Sequence, residues 1–391
     1  MFGTSLRFVE STPQLVRSLA ERLEAIGVSE RVALVCDTNT YTAAGERLEA
    51  RLPPESFCVN FGLQVKPTIA RAEALCEAVR DASAVIVVGS GTLTDLSKYA
   101  CHKMGKRLIS VPSAASMNGY ASATASLMGA DGYKASHACK APDHIWLDST
   151  IYTRAPLALS QAGLGDTLCR SSVQMDALLS HLLTGTWYDQ AYFEALQELE
   201  VQLIRDVAKL QQGDGSYIDT LMQALILSGD AMRRAGSSAP ASQAEHMIAH
   251  LLEQKAPLQM QKFFHGAHIA VTSLTMTRLQ SFMVLKPLEV DLMHYAQQME
   301  AVAGAAGARK LTQLRQMDLR DIARAWQQLQ SSADGILLAP EMLEATLMQA
   351  GLPTDPEGLG VLRQEYIESV RLAFTSRDRM TFLDIAAMRN H

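Results

Sequence analysis

No two cysteines in this chain are spaced as C-x-x-C, although six are present: Cys36, Cys58, Cys76, Cys101, Cys139 and Cys169. That absence excludes a zinc knuckle and a dithiol redox motif, and scattered single thiols point to a reduced, cytoplasmic protein. Any bound metal must then draw on histidine and carboxylate. No apolar run approaches the about 18 residues of a membrane span. The start MFGTSLRFVESTPQ has no basic segment leading into an apolar one, so neither export nor a membrane span is expected. Positive charge is also scarce, with 35 Lys and Arg against 41 Asp and Glu and a formal net charge of −6. Without a global basic field, nucleic acid is a poor partner, and an anionic ligand has to be small and held in a local pocket. Internal repeats and low-complexity tracts are absent as well.

What is present is enough apolar sequence for a full core, 48% hydrophobic over 391 residues, a length that predicts two domains. Up to about residue 160, helical patterns such as PQLVRSLAERLEAIG alternate with the short apolar runs RVALVCD, SAVIVVGSG, KRLISVPSA and HIWLD. Helix alternating with buried strand predicts a parallel sheet with crossover helices, a Rossmann-like α/β domain over 1–160. Beyond it, apolar residues recur at helical spacing with hardly a strand, which predicts an all-α domain over 161–391. The boundary is placed at YTRAPLALSQAGLGD, where Pro156, Gly163 and Gly165 interrupt the pattern.

Three strand ends in the first domain carry polar chemistry. VIVVGSGTLTD passes from a strand through Gly89, Ser90 and Gly91 into a helix, where backbone amides favour a phosphate. The pattern falls short of G-x-G-x-x-G because Thr94 takes the last position, and a plain strand-to-helix turn would read the same way. Asp37 ends the first apolar run, the place where open α/β sheets bind nucleotides. VPSAASMNGYASATA, with Asn118, reads as a lining for a cofactor or polar substrate. In the second domain, His246 and His250 stand four apart, on one face of a helix whose start is read from the S-x-x-E capping box of Ser242 and Glu245. Asp166 follows a glycine turn, and His265 precedes Gly266. One carboxylate and two imidazoles suffice for a catalytic divalent metal with an open position, though solvated or structural histidines fit the spacing equally.

In order and approximate spacing, GSGTLTDLSKY, SVPSAASMNGYAS, KAPDHIWLD, GLGDTLCR, AEHMIAHLLE, FHGAHIAV and RDRMTFLDIA resemble the sn-glycerol-1-phosphate dehydrogenases, most closely their bacterial arabinose-operon branch. That family lies within the superfamily of iron-containing alcohol dehydrogenases, glycerol dehydrogenases and dehydroquinate synthases, and the resemblance spans nearly the whole chain. It implies a dehydroquinate synthase-like fold and metal-dependent, NAD- or NADP-linked interconversion of dihydroxyacetone phosphate and sn-glycerol 1-phosphate. Asp166, His246 and His265 match the metal positions, with zinc or nickel the implied ion. His250 matches a substrate-contacting proton relay, with His268 and His137 as lesser competitors. Gly89, Gly91, Thr92 and Asp95 match the pyrophosphate turn, Asp37 and Asn39 the adenosine end, and Ser113 and Ser116 the middle of the cofactor. Lys134, with Lys140, is the implied partner of the substrate phosphate. Asn118 stands where the family commonly has aspartate; it can hydrogen-bond substrate hydroxyls but cannot act as a base. Dimers or larger homo-oligomers are implied. Glycerol dehydrogenase, another metal-dependent alcohol dehydrogenase, a dehydroquinate synthase-like lyase and a non-catalytic binding protein are the alternatives. Against the lyase stand GSGTLTD in place of G-G-G-x-x-x-D and aspartate in place of a glutamate ligand.

Overall fold

The computed structural model describes residues 8–130, 132, 134–302, 305–314 and 318–389. The three most apolar runs form strands β2 (Val32–Cys36), β4 (Ala84–Gly89) and β5 (Arg107–Pro112). Both faces of these strands are covered, which is why they read as unbroken apolar stretches without alternation. With β1 (Val9–Ser11), β3 (Phe57–Asn60) and β8 (His144–Leu147) they make a six-stranded parallel sheet in the order β1-β8-β5-β4-β2-β3. Helix α1 (Leu15–Ala25) buries Leu15, Leu19 and Leu23, four apart, against Leu34, Ile86 and Ile109 on one face. On the other, α2 (Gly91–Met104) buries Leu93, Leu96 and Ala100 against Val35, Val85 and Val87. Each fully buried leucine contributes roughly 1.5–3 kcal/mol.

Chain order reverses at β2, which has β3 on one side and β4 on the other. The carboxyl ends of β2 and β4 therefore flank a topological switch point, the ligand-binding position of open α/β sheets. Asp37 and the Gly89–Gly91 turn stand at those two ends. An antiparallel hairpin, β6 (Thr124–Met128) and β7 (Lys134–Ala138), is a further element for which the sequence offers little signal. It is held to α2 by Ser126 N, which donates to Asp95 Oδ2 at 3.0 Å, by Lys98 Nζ, which donates to Thr124 O, and by Ala125 and Leu127, buried in the same core as Leu93 and Leu96.

By internal contacts the chain divides into two units, one running to Gly163 and including Lys209–Ser238, the other formed by Leu164–Ala208 and the segment from Ala239 onward. The first unit thus takes in helix α4 (Gly215–Ala235). A Cβ on Gly229 of α4 would stand 2.2 Å from the Asn118 carbonyl oxygen, so this helix passes tightly behind the Asn118 loop. In the second unit the described elements are helical, and those that matter for the site are α5 (Ala244–Lys255) and α6 (His265–Val284). The buried carboxylate of Asp176 accepts from Ala244 N at 3.2 Å and Phe382 N at 2.8 Å, and so ties the start of α5 to the C-terminal segment.

One expectation is corrected here. Gly163 and Gly165 do not interrupt the chain: helix α3 (Leu157–Thr167) begins just after Pro156 and runs through both. Their lack of a side chain serves close approach. A Cβ on Gly163 would lie 2.0 Å from Ala115 O, and one on Gly165 would lie 2.1 Å from Gly266 O.

Candidate active site

Contact between Gly165 and Gly266 sets the second unit's histidine site, because each glycine is the chain neighbour of a candidate ligand. Asp166 follows Gly165 within α3, not in a glycine turn as its sequence context implies, and His265 opens α6. From α5 comes His246, whose Nε2 lies 3.5 Å from Asp166 Oδ1. Ligand atoms of Asp166, His246 and His265 all fall within 4.8 Å of one another. The rings of His246 and His265 are 5.3 Å apart, and that of His250 stacks on His265 at 5.5 Å with 20° between planes. His250 therefore sits beside the three-residue cluster, one helical turn beyond His246.

The helix start differs from the expected capping box. Gln243 is the N-cap of α5 and makes no side-chain cap bond. Glu245 still turns back to accept from Gln243 N at 2.8 Å, while the Ser242 hydroxyl accepts from Arg377 instead of capping. The same Glu245 oxygen faces His246 Nδ1 at 2.8 Å. Burial drives the His246 imidazole down, but hydrogen bonds to Asp166 and Glu245 outweigh it and raise the group to about 9. Glu245 faces Nδ1 and Asp166 faces Nε2, so a cation would stand on the Nε2 side, between the ring and Asp166.

Two other groupings are close enough for an ion, Cys169–Glu245–His246 and Glu253–His265–His268. Hydrogen bonding argues against the first. Burial pushes the Cys169 thiol well above its ordinary value, and it donates to Asp166 O at 3.1 Å, so it stays a thiol, the poorer ligand. His268 directs Nε2 to Met260 O, 2.9 Å away, which puts its proton there and leaves the Nδ1 lone pair facing Glu253, so its tautomer is compatible with the second grouping. Glu253 already faces three imidazoles: Nδ1 of His250 at 3.2 Å, and Nδ1 of His265 and His268 at 3.3 Å each. Burial alone would raise its carboxyl, yet these three contacts hold it below the usual carboxylate range. In the set Asp166, His246 and His265 each ring is oriented by a glutamate at Nδ1, which leaves Nε2 for a metal and keeps the three histidine contacts of Glu253 intact.

In the first unit the cofactor candidates gather at the switch point. A Cβ on Gly89 would meet Leu93 Cβ at 2.6 Å, so that position needs glycine, whereas one on Gly91 would meet Met117 Sδ at 3.3 Å, which a small shift of that side chain relieves. Ser90 caps α2 without a side-chain bond, which leaves the first-turn amides of a fourteen-residue helix facing outward for an anion. Thr92 follows, half-buried. Ser113 lies just past β5 and donates its amide to Gly89 O at 3.0 Å, and Ser116 and Asn118 continue that loop, half-buried. Asp37 spends Oδ1 on Thr40 N at 2.7 Å as a cap, with Asn39 exposed beside it. Lys134 is exposed at the start of β7, and His137 packs edge-on against Tyr99 in the same unit.

Comparison with known proteins bears on the family and the fold. Residues 10–156 match the iron-containing alcohol dehydrogenase family. The NAD(P)+ glycerol-1-phosphate dehydrogenase of Pyrococcus furiosus is 33% identical over 266 residues, 67% of this chain and 74% of that one. The chain belongs to the glycerol-1-phosphate dehydrogenase family. The Bacillus subtilis member is 28% identical over 370 residues, 91% of this chain and 85% of its own. A probable glycerol dehydrogenase from Sinorhizobium meliloti shares the fold, with a TM-score of 0.65 at 18% identity, covering 97% of this chain and 94% of that one.

For this family member, three residues escaped the sequence reading. Glu245 was seen only as a cap, and Glu253 not at all, although its spacing of three from His250 on one helix was the available signal. Lys98 is the third. Fully buried, its Nζ pairs with Asp95 Oδ1 at 2.9 Å and donates to Gly119 O at 2.8 Å and Ser122 Oγ at 3.1 Å. Asp95 is thereby engaged in joining α2 to the Asn118 loop and the hairpin. Replacing Glu253 with Gln should weaken metal affinity about 10- to 100-fold, the usual effect of losing a carboxylate behind a ligating histidine. Chelator competition measures it, and an unchanged affinity would refute the orienting role.

Proposed function

We propose that this glycerol-1-phosphate dehydrogenase family member reduces dihydroxyacetone phosphate to sn-glycerol 1-phosphate, reversibly, with NADH or NADPH. The observation that carries the reading is the convergence of Asp166, His246 and His265 beside His250. Zinc or nickel is the proposed ion at the first three residues. Bound, the ion supplies Lewis-acid polarisation of the ketone and the nicotinamide supplies the hydride. The cofactor's pyrophosphate would rest on the amides after Gly89, Gly91 and Thr92, with Asp37 and Asn39 toward the adenosine end and Ser113 and Ser116 along its middle.

The chain's own residues then orient substrate and move the proton. Burial pushes the His250 imidazole down to about 3, so it is neutral near pH 7. Its Nδ1 donates to Glu253, which leaves the lone pair on Nε2. In the oxidation direction, Nε2 takes the proton of the reacting hydroxyl, and Glu253 stabilises the imidazolium that results. In reduction the same atom returns it. Asn118 can hydrogen-bond a substrate hydroxyl but cannot carry the proton.

Metal-loaded protein should oxidise NADH or NADPH on addition of dihydroxyacetone phosphate, followed at the nicotinamide absorbance band. Folded, metal-loaded protein that oxidises neither cofactor would overturn the proposal. Preference for unphosphorylated dihydroxyacetone would redirect it to a glycerol dehydrogenase.

A further inference from the structure

The tail segment RDRMTFLDIA has no part in the ligand set or the cofactor turn, yet its two arginines converge on the entrance to α5. Arg377 Nη1 donates to Ser242 Oγ at 3.2 Å, and Arg379 Nη1 donates to the Ser242 carbonyl. The placement is fixed, because the Asp176 carboxylate holds Phe382 N and Ala244 N at once. Both arginines are half-buried. Among the described residues no carboxylate is within ion-pair distance of Arg377. Asp378, between them in sequence, pairs instead with Arg309 at 2.7 Å. Glu245 lies near both, but one of its oxygens is committed to His246 and Gln243 N.

Two guanidiniums held side by side repel each other and lose hydration, an arrangement that a multiply charged anion relieves. Burial first, and then the neighbouring Arg377 charge, push the Arg379 guanidinium down. Ser242, which both arginines hold, lies four residues before the ligand candidate His246 at the entrance to α5.

We propose that Arg377 and Arg379 form the phosphate subsite, which takes the phosphate group of a small phosphorylated ketone whose carbonyl lies at Asp166, His246 and His265. This rests on the function proposed above. Planar guanidinium forks match phosphate oxygens in pairs, as a lysine ammonium does not. The lysines implied by the sequence are weaker contenders: Lys134 is exposed, and Lys140 is exposed and paired with Asp143.

Inorganic phosphate is the direct probe. Calorimetric titration of zinc-loaded, full-length protein should show phosphate binding that Arg377→Ala weakens roughly 10- to 100-fold, the range for a lost hydrogen bond to a charged group. Arg377→Lys should restore part of it. The KM for dihydroxyacetone phosphate should rise with the loss of affinity, and the kcat/KM ratio of dihydroxyacetone phosphate over dihydroxyacetone should fall. Arg379→Lys, which keeps a donor for the Ser242 carbonyl, should weaken phosphate in the same direction and provides the reading if Arg377→Ala does not fold. Wild-type phosphate affinity in folded, zinc-loaded Arg377→Ala would overturn the subsite, as would a loss on Lys134→Ala larger than that on Arg377→Ala. Phosphate binding that follows the arginines in a protein inactive on phosphorylated ketones would sink the proposed reaction and leave the subsite standing.

Discussion

Asp166→Ala is expected to lose bound metal and to lower ketone reduction by about a thousandfold or more. A factor of a thousand corresponds to about 4 kcal/mol of barrier, within the several kcal/mol that Lewis-acid assistance supplies. Asp166 is the one carboxylate of the ligand set, buried, with Oδ1 3.5 Å from His246 Nε2. Without it a divalent cation meets two imidazoles and no directly coordinating charge, since Glu245 and Glu253 stand behind the rings at Nδ1. Alanine at this position also frees His246 from the interaction that helps to hold its proton, so the loss is of charge and ligand together. Metal content by mass spectrometry and nicotinamide oxidation give the two readings. Cofactor binding by fluorescence should persist, since the Gly89–Gly91 turn belongs to the other unit. Stoichiometric metal and full activity in the mutant would move the ion to Glu253, His265 and His268.

Legibility in the sequence followed the physics of each element. β2, β4 and β5 are buried on both faces, so their apolar runs stand out against helical periodicity. The β6–β7 hairpin does not, because its strands are short, partly exposed and rich in Ser, Thr and Ala, and its polar ties to α2, through Asp95 and Lys98, are not encoded locally. Asp166, His246 and His265 could be named as candidates because metal chemistry restricts residue types, and the structure brings their ligand atoms within 4.8 Å of one another. Glu253 was hidden because an acid on a helix usually reads as a solvated face; only the fold brings α6 beside it. The arginines of the tail were quoted as part of a motif, but 135 residues separate Arg377 from its partner Ser242, a contact that no local pattern encodes. The glycines of α3 misled in the opposite direction. Glycine reads as a break from sequence, and only packing distinguishes a break from a close approach.

That close approach carries the second large effect, through Gly165→Ala. The added Cβ would stand 2.1 Å from Gly266 O and 2.8 Å from Gly266 C. Both are backbone atoms that cannot rotate away, so α3 and the start of α6 must part by about 1 Å to restore ordinary contact. Overpacking of this kind costs about 1–3 kcal/mol of stability. The functional loss should be larger than the stability loss implies. Asp166 and His265 adjoin the two glycines in the chain, so separating the glycines separates the ligands, and displacements near 1 Å at a reacting centre cost about 100-fold. The expected result is a folded protein with a lower Tm, markedly weaker metal binding and activity reduced about 100-fold. Gly335→Ala is the control: no atom lies within 4 Å of its added Cβ, so it should keep wild-type metal affinity and turnover. A Gly165→Ala protein with wild-type metal affinity would show that the site tolerates this displacement, and that the two glycines serve packing alone.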